Sequence, residues 1–111
     1  MVHNTLALIY LGKNMPKQAE EEFKKELVLN PSSDKTLFSL GLLYHTQGKL
    51  KQAEDSWLNA VKINPDNIDA LKNLVIYYHE QKNTAKAKYY IIELQKRGIQ
   101  IPPKYLEGYE K

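Results

Sequence analysis

LFSLGLLYHTQGKLKQAEDSWLNAVKINP, residues 37–65, holds two amphipathic stretches on either side of a glycine. In the second stretch Leu50, Ala53, Trp57, Ala60, Val61 and Ile63 recur at i, i+3, i+7, i+10, i+11 and i+13, the spacing of one helical face. The first stretch places Leu37, Leu40, Gly41 and Tyr44 on a helix of its own. Gly48 between them suits a left-handed helix end. Asn64-Pro65 closes the second helix, because the residue before proline is pushed out of helical space.

Working outward, the same marks return at a fixed interval. Tyr10, Tyr44 and Tyr78 are 34 residues apart, as are Ala19, Ala53 and Ala87, and Pro31 is 34 residues before Pro65. Three columns keeping one period describe a single supersecondary unit used three times. The first copy contributes Leu6, Ala7, Tyr10, Ala19, Phe23 and Pro31, and the third Leu71, Leu74, Tyr78 and Ala87. This pattern resembles the tetratricopeptide repeat family, a 34-residue helix–turn–helix unit. The resemblance covers residues 1–100. It departs from the family pattern at Glu26 and Leu94, which stand where the middle copy has Ala60, at Val75, which stands where it has Gly41, and at Ile99, which replaces the closing proline.

The resemblance implies an all-α fold: an α-solenoid of three antiparallel helix–turn–helix repeats with a short C-terminal capping helix. The expected organisation is one domain over 1–111, with repeats at about 1–33, 34–67 and 68–101 and a cap at 102–111. Helices are predicted at 2–13, 15–29, 34–47, 50–63, 68–81 and 84–97, with a seventh at 103–109 opened by Pro102-Pro103. Ser33 or Asp34, Asp66 or Asn67, and Asn83 or Thr84 are the candidate caps. Gly41 and Ala53 lack bulk, so helix backbones approach closely there, and Tyr44, Trp57 and Phe23 fill the space between neighbours. These residues are assigned to the core and to no site.

Composition narrows the function classes. The 111 residues suffice for one compact domain, and 42% hydrophobic content supplies a core. Without cysteine there is no disulfide framework, thiol nucleophile or cysteine-based metal site. That is compatible with the cytosol, the compartment favoured here. No apolar stretch approaches the ~18–20 residues that span a bilayer. The run Leu6 to Leu11 falls in register with Leu40–Tyr44 and Leu74–Tyr78, so it is read as a repeat helix rather than a targeting segment. Net charge is +3, with the excess in the second half at Lys82, Lys86, Lys88, Lys96 and Arg97. A solvated helix face is the plain reading of that excess. Nucleic acid is disfavoured as a partner, since no nucleic-acid-binding module accompanies the charge.

The first predicted helix is apolar all round its middle, from Leu6 to Leu11. A helix of that kind seeks burial on every side. The expectation is therefore that Met1 lies near a cut in a longer protein, with further repeats or another domain upstream. Self-association through the edge at Leu6 and Ile9 is the related expectation. At the other end Tyr105, Leu106 and Tyr109 are expected to lay an apolar strip over Tyr90, Ile91 and Leu94.

The resemblance also implies where a partner binds: in a concave groove lined by the first helix of each repeat. Projected onto this sequence, the groove residues are Asn4, Leu8 and Leu11, then Phe38, Leu42 and His45, then Lys72, Ile76 and His79. Leu8, Leu42 and Ile76 form an apolar row with polar neighbours, suited to a peptide with apolar anchors. A structural spacer within a longer array, and weak binding of acidic proteins or nucleic acid on the basic face, are the alternatives. Co-chaperones of this family grip acidic tails with lysine, asparagine and arginine. Here the corresponding places hold Asn4, Leu8, Ser39, Asp69 and Asn73, so the charge-assisted bonds that grip a carboxylate are missing. No catalytic residue, cofactor or metal ligand is assigned. His45 and His79 occupy equivalent places one helix spacing apart, too far to share a metal unaided.

Overall fold

The computed structural model describes residues 15–106, all of whose ordered elements are helices: α1 Pro16–Leu29, α2 Asp34–Thr46, α3 Leu50–Ile63, α4 Ile68–Glu80, α5 Thr84–Lys96 and α6 Pro103–Leu106. Among the described residues there is no strand. The helix expected at 2–13, with its edge residues Leu6 and Ile9, lies outside them, as do the side chains of Tyr105, Leu106 and Tyr109. The chain divides into two compact units, Met1–Pro65 and Asp66–Lys111. The division falls within two residues of the expected start of the third repeat.

In the first unit α2 packs antiparallel on α3, and α1 packs on α2. Local chemistry fixes each end. Pro16 opens α1 in the first turn, where a missing N–H costs nothing. Ser33 caps α2, its Oγ accepting from the Thr36 N–H at 3.3 Å while its own hydroxyl donates to Thr36 Oγ1 at 2.8 Å. At the far end Gly48 takes φ +76°. The Gly48 N–H donates to His45 O at 3.1 Å and the Lys49 N–H to Tyr44 O at 2.9 Å, the paired bonds that satisfy a helix's last carbonyls. Asn64, ending α3, donates from Nδ2 to Asp34 Oδ2 at 3.0 Å and ties the open end of the hairpin.

Packing inside this hairpin centres on one pair. Trp57 is 2% exposed, and its Nε1–H donates to Phe38 O at 3.2 Å. A β-carbon at Gly41 would sit 2.4 Å from that nitrogen, inside van der Waals contact. Glycine is thus a steric requirement of the indole. Tyr44 joins α2 to α1: its hydroxyl donates to Glu20 Oε2 at 3.3 Å, beside the Lys24–Glu20 ion pair at 2.8 Å. The Lys24 ammonium holds the Glu20 carboxyl below the usual carboxylate range. Burial, reinforced by Glu20, pushes the Tyr44 hydroxyl up.

The second unit repeats the plan with other residues. Asn67 caps α4 by accepting from the Ala70 N–H at 3.0 Å, and Asn83 caps α5 by accepting from the Lys86 N–H at 3.3 Å. Arg97 Nε donates to Asp66 Oδ1 at 2.9 Å and ties the open end of this hairpin. Val75 and Ile91, buried at 2% and 3% exposure, occupy the places of Gly41 and Trp57. A larger residue on one helix is matched by a smaller one on the other.

The turn between α4 and α5 contains an unexpected residue. Lys82 stands 34 positions after Gly48 and takes φ +59°. It makes the same two bonds, Lys82 N–H to His79 O at 3.1 Å and Asn83 N–H to Tyr78 O at 2.9 Å. Gly98, at φ +75°, ends α5 the same way. The turn geometry is retained although the residue carries a β-carbon that disfavours it.

At the C-terminal end α6 packs on α4. Tyr90 stacks on Tyr78 at 5.9 Å and 10°. Ahead of α6, Ile101 and Pro102 line a hollow together with Val75, Ile76 and Leu94.

Gly41→Ala is expected to destabilise the fold by about 1–3 kcal/mol through overpacking against the indole, despite alanine's better helix propensity. Thermal unfolding followed by circular dichroism reads that loss. Lys82→Gly is expected to act in the opposite sense, raising stability by about 0.5–1 kcal/mol by relieving the left-handed backbone. A raised urea midpoint at unchanged slope is the readout.

Candidate partner-binding surface

Phe38, Leu42 and His45 fall at i, i+4 and i+7 on α2, so helical geometry places them along one face. Their exposures differ. Phe38 is half-buried, with its carbonyl held by Trp57. His45 is half-buried against the indole, ring centres 5.8 Å apart and tilted at 40°. Leu42 between them is 39% exposed, while Leu40 and Leu43 on either side are buried. The face therefore presents one open aliphatic side chain between two half-buried residues, Phe38 and His45.

The equivalent residues of α4 are Lys72, exposed, and Ile76 and His79, both half-buried. Ile76 lines a hollow of 190 Å³ walled by Val75, Ile76, Leu94, Ile101 and Pro102, with Lys72 and Gln100 as its polar members. Lys72 has no carboxylate partner among the described residues. The hollow holds space for one side chain: a cavity of about 150 Å³ admits a benzene ring. The groove expected from the sequence thus contributes Lys72 and Ile76 to this hollow. Ile101, Pro102 and Gln100 were not foreseen. The alternation of Ile99 and Ile101 ahead of two prolines was the one signal that this segment lies against something. Asn4, Leu8 and Leu11 lie outside the described residues.

Charge is unevenly neutralised. Along α1 and α3, acids, two of them buried (Glu22 and Glu54), meet lysines: Lys24–Glu20 at 2.8 Å, Lys25–Glu22 at 3.0 Å, and Lys51 with Glu54 at 3.5 Å and Asp55 at 3.4 Å. In α5, Glu93 is taken by Lys96 and Arg97, both at 3.3 Å, and these cations hold its carboxyl below the usual range. Lys82, Lys86 and Lys88 are left without a carboxylate among the described residues. No group of three metal-ligating side chains occurs among those residues, and no described helix is long and apolar enough to cross a membrane.

Comparison with known proteins adds one finding. Residues 34–67 match the family model of the tetratricopeptide repeat, a span that begins at the first residue of α2 and ends three residues after the Asn64–Asp34 tie. No curated protein matches the chain. Residues 34–67 are thus similar to a tetratricopeptide repeat, within an all-α helical-repeat fold.

Proposed function

We propose that this chain is a protein-interaction scaffold that binds partner segments on the first helix of each hairpin, at the faces of Leu42 and Ile76. Repeats of this family generally mediate protein–protein interactions and are typically non-catalytic. The observation that carries the groove reading is Leu42. It is a 39% exposed leucine on a helix whose other leucines, Leu37, Leu40 and Leu43, are buried or half-buried, and it stands between the half-buried Phe38 and His45. An apolar anchor set between rigid neighbours suits an extended or helical segment with aliphatic side chains. The hollow at Ile76, with Lys72 beside it and no carboxylate partner for that lysine among the described residues, supports an equivalent anchor point on α4.

The mechanism is geometric. The hairpin is braced by Trp57 against Gly41 and by its tied ends, so its surface is formed before a partner arrives. The ordering cost then falls on the partner segment, and a preorganised surface loses less affinity to it.

Affinity capture from source-cell lysate, using the unchanged chain beside Leu42→Glu and Ile76→Glu, tests the reading. Leu42→Glu is a surface change whose stability cost should stay within about 1 kcal/mol, and circular dichroism on the same sample checks it. A partner held by the unchanged chain and bound at least about tenfold more weakly by both variants is the expected result. Equal capture by all three refutes groove binding.

A further inference from the structure

The outward stripe of α5 departs from those of α1 and α3. Residues 34 apart occupy equivalent places, so three stripes can be set side by side. α1 carries Lys17, Glu21, Lys24 and Val28; α3 carries Lys51, Asp55, Leu58 and Lys62; α5 carries Ala85, Tyr89, Ile92 and Lys96. All but the half-buried Leu58 are exposed. Where the first two stripes open on a lysine followed by an acid, the third opens on alanine and tyrosine and continues with isoleucine. Tyr89 is 58% exposed and Ile92 40% exposed.

The flanks become basic as well. Glu20 and Glu54 have Lys88 as their equivalent, and Gln18 and Gln52 have Lys86. Lys86 and Lys88 lie on opposite sides of the Ala85–Tyr89–Ile92 stripe by helical geometry. Neither has a carboxylate partner among the described residues, and the Lys86 Nζ rests 5.3 Å from the centre of the Tyr78 ring.

Tyr89 is also held in place. Its ring meets Tyr90 edge-on at 4.9 Å and 89°, Tyr90 stacks on Tyr78 at 5.9 Å, and Tyr78 meets Tyr77 edge-on at 5.2 Å. Tyr77 and Tyr78 are buried. The exposed ring is thus the outer end of a chain of four tyrosines rooted in the core. A large side chain fixed in this way loses little conformational freedom when a partner covers it.

We propose that the outer face of α5 is a second docking surface, for an amphipathic helix with an apolar stripe flanked by acidic residues. The partner is a helix because the face it covers offers no free backbone groups. A segment lying on apolar surface must satisfy its own N–H and C=O groups, which a helix does internally. It is acidic because the flanking lysines have no carboxylate partner among the described residues. From Ala85 to Lys96 the stripe runs about 16 Å, the length of three helical turns. This surface lies on a different helix from Leu42 and Ile76 and does not rest on the groove reading.

Selection from a phage-displayed library of random peptides tests the assignment, with counter-selection on folded Ala85→Glu to remove peptides that bind elsewhere. Ala85→Glu puts an acid in the first turn of α5, where the helix tolerates it, so a folding failure does not confuse the result. The surviving peptides are expected to carry apolar residues at i, i+3 or i+4, and i+7 with Asp or Glu beside them. By fluorescence anisotropy they should bind Ala85→Glu and Tyr89→Ser/Ile92→Ser at least tenfold more weakly than the unchanged chain. No surviving peptide, or survivors without that pattern, overturns the proposal. So does a dimer in sedimentation, or binding of oligothymidylate, that Ala85→Glu abolishes; these would assign the face to a second copy or to nucleic acid.

Discussion

The indole of Trp57 fills the place a β-carbon at Gly41 would need, and the rest of the first unit is arranged around that contact. Its N–H is bonded to the Phe38 carbonyl, so the ring can neither withdraw nor rotate without leaving a buried donor unpaired. Because α2 and α3 are held this close, the turn between them must be short, and Gly48 supplies the left-handed residue that makes it so. The same contact sets the surface. His45 leans on the indole, Phe38 is held by it through the backbone, and Leu42 is left outward between them. Core packing and the candidate binding face are two sides of one helix.

The second unit reaches the same geometry with a different division of volume. Val75 and Ile91 share between two residues the space that Trp57 takes with Gly41. The open-end tie changes from an amide–carboxylate bond at Asn64 and Asp34 to a guanidinium–carboxylate pair at Arg97 and Asp66. The backbone plan is therefore more constant than the side chains that enforce it, as expected where total volume and patterning matter more than identity.

Much of this was legible in the sequence. The period of 34 at Tyr44 and Tyr78 and at Ala53 and Ala87 placed α1 to α5 to within two residues, because each column is a local steric demand that recurs. The caps narrowed from candidate pairs to Ser33, Asn67 and Asn83, all short polar side chains able to reach back to the third residue. What escaped was non-local or ran against propensity. A lysine does not announce a left-handed turn; only its register with Gly48 does. The stack of Tyr90 on Tyr78 is a pairing between helices that no spacing rule reveals. For the candidate site, the register located Leu42 and Ile76, but the hollow beside Ile76 needed the fold of residues 100–102.

The central claim is that small and large residues at these paired places are complementary volumes that define the hairpin. Transplanting the pair of the second unit into the first tests it: Gly41→Val alone, and Gly41→Val with Trp57→Ile. The account predicts that the single variant loses its cooperative thermal transition by circular dichroism, because valine and the indole cannot coexist, and that the double variant recovers it. A double variant that unfolds as readily as the single one, or a single variant that melts like the unchanged chain, would contradict it.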